Sequence, residues 1–275
     1  MSAKRLATAM QKGGVGKSTT SINLAGALAD DTDHTTTEAS DVLLVDADPQ
    51  GFSTITAGLM DYYTNEEAFS LYDCLTDVEE MVRVEELIFD VSEFDILAAH
   101  GQNFILEREL WSLPRTHERL GMALDEISDG RYDYILIDTP PNLGPLADGA
   151  LLAAENVMLA SKADRIASFS VGLLLEEIGT LERQFDIDIE TVGVTVNQYE
   201  QNKITDERIE WFTERVGDEN VYTVPDTVAV EGALSQGGSI FNPEYTPDNN
   251  HREKKAVSLR DTYDQLAQQV VNHYE

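Results

Sequence analysis

Short apolar runs alternate along the chain with longer stretches in which apolar side chains recur every three or four residues. RLATAM (5–10) reads as a first strand and VLLVD (42–46) as a nearly continuous apolar one. FDILAAH (94–100), YDYILID (132–138), NVMLASK (156–162), ETVGVTVN (190–197) and NVYTVP (220–225) repeat that pattern. Between them the spacing is helical. Ile22, Leu24, Ala25 and Leu28 predict a helix over Lys17–Asp30, an acidic helical middle runs from about 66 to 90, and a further helix is expected to reach Ser128. The polar segment DTDHTTTEAS (31–40) reads as a connection.

Strands that are apolar on both faces and separated by helices predict a parallel sheet covered on both sides. The expected fold is therefore α/β, doubly wound and mostly parallel. No internal repeat or sharp linker divides it, so residues 1–275 are expected to form one domain. Ligands of such sheets bind at the carboxyl ends of the strands. Three glycine-rich or acidic segments fall at those ends: 11–18, 46–51 and 138–144.

Composition changes the picture in one respect. Against 19 basic residues stand 51 acidic ones, for a formal net charge of -32. High charge with low hydrophobicity marks disordered chains, but 42% of these residues are hydrophobic and they form the strong apolar runs above. A folded protein with a diffuse acidic surface fits better, and that is the surface expected of a halophilic cytosol. Cys74 is the single cysteine, which excludes a disulfide or a cysteine-based metal site within one chain. The start MSAKRLATAMQK does not read as a signal peptide, and no run approaches the roughly 20 apolar residues of a membrane span. A soluble, cytoplasmic protein is expected.

The first of the three segments carries the most chemistry. GGVGKST (13–19) follows a strand and opens a helix. Its glycines let backbone N–H groups turn toward phosphate oxygens, and the helix N-terminus adds partial positive charge. Gly13, Gly14, Val15, Gly16 and Thr19 would form the cradle, Lys17 would reach the outer phosphates, and the Ser18 hydroxyl would bind Mg²⁺. This is the pattern of a P-loop NTPase, with ATP and Mg²⁺ as cofactors. One departure stands out: where the general loop has its first glycine there is Gln11, followed by a second lysine, Lys12.

KGGVGKS resembles the variant loop of the ParA/MinD family, the deviant Walker A ATPases. DADPQG (46–51) is similar to that family's second motif, and YDYILIDTPPNLG (132–144) resembles its Walker B segment. The resemblance continues through HGQNFILERELW (100–111), LGPLADGALLAAENVMLASKADRIASFSVGLL (143–174) and VAVEGALSQGGSIF (228–241), with Gly149 where asparagine is usual. It implies that Lys12 reaches across a homodimer to the partner's phosphates while Lys17 serves its own. Dimerisation would then report bound ATP. It further implies that Asp48 orients the attacking water and that Asp46 sits near the Mg²⁺ shell. Asp138 would hold the ion through water, and Asn197 and Pro225 would flank the adenine.

Within the family the middle and closing segments are closest to ParA. That branch positions plasmids, chromosomes or other cargo with a ParB-like or other adaptor and non-specific DNA. Asn202 and Asp226 occupy positions where ParA relatives often carry arginine. Lys203, Arg208, Arg215, Arg252, Lys254 and Lys255 would be either a local basic patch or ordinary solvated charges. The C-terminal stripe of Tyr263, Leu266, Ala267, Val270, Val271 and Tyr274 reads as a helix packed on the sheet, without the flanking basic residues a membrane helix would want. A regulator that uses the same switch on protein partners alone is the alternative.

Overall fold

A computed structural model describes residues 2–32, 35–164, 166–200, 202–225 and 228–275. The chain runs β1 (Lys4–Ala9), α1 (Lys17–Ala29), β2 (Val42–Asp46), α2 (Phe52–Thr56), α3 (Met60–Tyr63), α4 (Leu71–Thr76), β3 (Ile88–Asp90) and β4 (Asp95–Leu97). It continues through α5 (Asn103–Leu110), α6 (Arg119–Asp125), β5 (Tyr134–Asp138), α7 (Pro145–Ala154), β6 (Asn156–Lys162) and α8 (Ala167–Phe185). The last elements are β7 (Glu190–Tyr199), α9 (Lys203–Val216), β8 (Val221–Pro225), α10 (Val228–Ser235) and α11 (Asn250–Tyr274). The strands form one sheet in the order β3-β4-β2-β5-β1-β6-β7-β8. Every pairing is parallel except β3 with β4.

The continuous apolar strands are explained by what lies on each face. Along β5, Ile135 and Ile137 enter one core with α4 to α9, while Tyr134 and Leu136 enter the other with α1, α10 and α11. Successive side chains point to opposite faces, so a strand buried on both must be apolar throughout. The C-terminal stripe packs as expected: Tyr263, Leu266, Ala267 and Val270 are buried, and Val271 and Tyr274 lie against the same core. Among the described residues no helix is long and apolar enough to cross a membrane.

The middle of the chain departs from the expected continuous helices. Residues 78–87 form a 3₁₀ helix, and the spacing of Val78, Met81, Val84 and Leu87 is its period of three. Met81, Val84 and Leu87 are buried by it. The segment expected to end as helix near 90 instead ends in β3, an antiparallel edge strand of three residues. The helix expected to reach Ser128 is broken after α5, where Pro114 and the left-handed Arg115 (φ 56°) precede a short 3₁₀ turn and α6. A residue before proline is steered out of helical geometry, so the break has a local cause.

Candidate functional site: a phosphate loop beside paired carboxylates

β2, β5 and β1 are neighbours in the sheet, so the three segments singled out in the sequence emerge side by side at one edge. The residues after β1 form the glycine loop. Gly14 (φ +69°) and Gly16 (φ +92°) take the left-handed conformation that glycine adopts without strain, and a Cβ on Gly14 would meet nothing within 4 Å. No side chain caps the N-terminus of α1 at Gly16. Its first N–H groups are therefore directed into a cleft of about 240 Å³, bounded by Gly13, Lys17, Ser18, Asp48, Phe52 and Pro141.

Lys17 is buried, and burial lowers its pKa against the opposing charges of Asp138 and Asp48. Asp46 and Asp138 are register partners on adjacent strands, and both are fully buried. Asp46 Oδ2 accepts hydrogen bonds from Thr54 N (2.8 Å) and Thr54 Oγ1 (2.7 Å). Asp138 Oδ2 accepts one from Ser53 Oγ (2.9 Å). The other oxygen of each, Oδ1, is buried without a partner among the described residues. Burial pushes Asp138 up to about 6, against Ser18, Lys17 and Ser53, which favour the charged form. Asp46 is pushed well above its ordinary value by burial and then by the charge of Asp138.

Two buried carboxylates, each with an oxygen left over, fit the surroundings of a hydrated divalent cation. Burial and mutual repulsion make full ionisation costly until positive charge arrives. Among the described residues no three His, Cys, Asp or Glu side chains cluster as a protein-only metal site. Mg²⁺ suits this arrangement, since it keeps several waters and takes few direct protein ligands.

Asp48 lies beyond the strand, since β2 ends at Asp46. Asp48 sits in the following turn, where its Oδ1 accepts from Gln50 N at 2.9 Å. Its carboxyl is raised chiefly by burial. Asn197 lies at the carboxyl end of β7, beneath the glycine loop. Its Nδ2 donates to Val15 O (2.9 Å) and Thr20 Oγ1 (3.2 Å), while Oδ1 is buried without a partner. Pro225 ends β8, and Asp226 lies outside the described residues. At Gly149 a Cβ would come 3.3 Å from His117 O, so a tight approach of the preceding 3₁₀ turn accompanies the missing asparagine.

Lys12 does not line its own cleft. Its ammonium is paired with Asp164, in the turn between β6 and α8. Sequence reasoning missed Asp164. It also missed Ser53 and Thr54, which hold the carboxylates, and Asn142, which is bonded to Glu107 at 2.6 Å. One signal was available for Asp164: it follows the carboxyl end of a strand, as the predicted site segments do.

A mostly parallel sheet, a glycine loop before α1 and two strand-end aspartates define a P-loop NTPase. The AAA domain family model matches residues 3–191. The chain is 32% identical over 243 residues to the chromosome partitioning protein ParA of Caulobacter vibrioides, covering 86% of this chain and 85% of that one. It is 30% identical over 243 residues to the sporulation initiation inhibitor protein Soj of Bacillus subtilis, covering 86% and 90%. The fold is shared with Cyanothece McdA in a complex with ATP, at a TM-score of 0.78 and 20% identity over 98% of this chain and 96% of that one. The chain belongs to the ParA/MinD family.

Proposed function

We propose that residues 1–275 act as one ParA-like Mg²⁺-ATPase domain that forms an ATP-dependent sandwich dimer and uses slow hydrolysis to time the positioning of plasmid, chromosome or other cargo. Lys17 meets the outer phosphates of its own nucleotide. Ser18 and, through water, Asp138 would hold Mg²⁺, with Asp46 near its shell, and the ion would supply charge neutralisation for in-line transfer. Asp48, at the mouth of the cleft, orients the attacking water. Asn197 and Pro225, at the carboxyl ends of β7 and β8, are assigned to flank the adenine.

The observation that carries this reading is the division between the two lysines. Lys17 faces the cleft, whereas Lys12, on the same loop, is turned to Asp164 and free to serve a second subunit once that pair opens. A lysine supplied in trans stabilises the dimer only when phosphate is present to receive it. Sedimentation of the wild type and of Lys12→Ala with ATP and Mg²⁺ tests it. The wild type should become a dimer, and the variant should bind ATP yet stay monomeric. An ATP-dependent dimer of Lys12→Ala overturns the trans role.

The name of the Caulobacter relative, a chromosome partitioning protein, supports partition; a ParB-like or other adaptor and non-specific DNA are the partners of this reading. One observation favours the alternative, a switch that binds proteins only. Of the six candidate basic residues, Lys203 pairs with Glu207, Arg215 with Glu214 and Arg252 with Asp248. Arg208 is half-buried. Lys254 and Lys255 are exposed. Affinity gained by releasing counterions from DNA also falls steeply with salt. Binding to random duplex DNA with ATP, titrated with potassium chloride, separates the two readings.

A further inference from the structure

We propose that Glu107 is a positioning residue for ATP hydrolysis, clamping the segment from Thr139 to Gly144 against α5 so that Pro141 and the residues after Asp138 hold their place at the phosphate cleft. The inference rests on the ATPase reading above.

Glu107 lies on α5 and is half-buried. Its Oε1 accepts a hydrogen bond from Asn142 Nδ2 at 2.6 Å. The same oxygen packs over the backbone two residues further on, where a Cβ on Gly144 would lie only 2.4 Å away. The carboxylate thus touches the segment at two points. That segment leaves β5 at Asp138, and its Pro141 lines the cleft opposite Gly13, with a Cβ on Gly13 falling 4.0 Å from Pro141 Cβ. Pro140 and Pro141 fix their own φ angles. A tether at Asn142 therefore constrains the backbone back toward Asp138 rather than a loose loop.

The arrangement is not one that burial demands. Asn142 is exposed, so its amide could bond to water at no loss. Glu107 meanwhile is pushed above its ordinary pKa by burial, with the charge of Asp48 adding to the rise. A half-buried carboxylate set near another acid, with its one strong bond to an exposed amide, stabilises the fold little. What the bond does fix is position. Displacements of about 1 Å at a reacting centre cost up to about a hundredfold in rate, so a positional tether has measurable consequences.

The experiment compares Glu107→Ala, Glu107→Gln and Asn142→Ala in steady-state ATP hydrolysis and in amide exchange of residues 139–144 without nucleotide. Glutamine keeps the Oε1 acceptor and alanine removes it. Glu107→Ala should lower kcat about tenfold with KM for ATP changed less than about twofold, and glutamine should restore most of the rate. Asn142→Ala, an exposed change that leaves folding intact, should reproduce the loss, and the double variant should be no worse than either single one. Exchange at Asn142, Leu143 and Gly144 should quicken in both alanine variants and not in Glu107→Gln. Unchanged kcat in Glu107→Ala, additive losses, or unaltered exchange overturns the clamp. If the wild type hydrolyses no ATP, the ATPase reading fails on that result, and the exchange measurement still decides whether Glu107 holds the segment.

Discussion

Lys12 and Asp164 join the glycine loop to the start of α8: Asp164 Oδ2 accepts from Lys12 Nζ, and its Oδ1 accepts from Ile166 N at 2.9 Å. The sheet order explains the meeting, since β1 and β6 are adjacent and the residues following them must run side by side. Burial alone would raise the Asp164 carboxyl, but the hydrogen bonds from Lys12 and the α8 backbone outweigh it and hold the group below its ordinary value. Any phosphate that recruits Lys12 must first break this pair.

Removing the carboxylate should therefore ease ATP-driven dimerisation. The side chains of Lys12 and Asp164 are 30% and 40% exposed, so solvent screens the pair. Such pairs contribute up to about 1 kcal/mol, which corresponds to roughly a fivefold change in an equilibrium. Asp164→Asn should form dimer at up to about fivefold lower ATP than the wild type, read by sedimentation across an ATP titration. A variant needing more ATP would show that Asp164 assists Lys12 and does not restrain it.

Gly16 is confined on two counts. Its φ of +92° is a conformation that L side chains rarely adopt, and a Cβ there would stand 2.7 Å from Asn197 Nδ2, the group that supports Val15 and Thr20 from below. Backbone strain of this kind costs about 1–3 kcal/mol. Gly16→Ala should fold with a lowered melting temperature and bind ATP at least about tenfold more weakly by calorimetry. Wild-type affinity would mean that the loop tolerates displacement from Asn197.

Much of this site was legible because glycine loops and strand-end acids are local signals. GGVGKST needs no tertiary information, and Asp46 and Asp138 each close an apolar run. What the pattern could not supply was the pairing of distant strands. Asp164 lies 152 residues from Lys12 and meets it only through the sheet order. The acidic middle was read only as helical, and its 3₁₀ character could have been seen in Val78, Met81, Val84 and Leu87, which keep a spacing of three. β3 escaped notice because three residues are too few to show alternation.

Asp148, at the start of α7, gives the fold a pH dependence outside the nucleotide cleft. It is 3% exposed, with Oδ2 3.3 Å from His117 Nδ1. Burial, then the charge of Glu177, raises its pKa to about 7, with Glu107 contributing in the same direction. Burial also lowers the pKa of His117, so both groups favour their neutral forms. A carboxyl raised on folding contributes stability that is present below its unfolded value near 4 and is lost as pH climbs toward 7. His117, lowered by burial, works the opposite way and blunts the slope. Asp148→Asn should be more stable than the wild type at pH 8, by on the order of 2–4 kcal/mol, and the two should converge as pH falls to about 4. Parallel melting curves across that range would show that the Asp148 carboxyl is not the titrating group.

A formal net charge of -32 predicts that the stability of the fold depends on salt. At 0.1 M salt the screening length is about 10 Å, comparable with the spacing of charges on a protein surface, and at 1 M it falls to about 3 Å. Few of the acids are neutralised locally, since 51 of them face only 19 basic side chains. Self-repulsion should therefore oppose folding in dilute buffer and fade in concentrated salt. Raising potassium chloride from 0.1 to 2 M should lift the melting temperature by roughly 5 °C or more. Choline chloride at equal ionic strength distinguishes the causes: an equal rise points to screening, and a smaller one to specific hydration of carboxylates by potassium. A melting temperature indifferent to both salts would remove the case for a halophilic cytosol and leave the acidic surface to be explained by a basic partner.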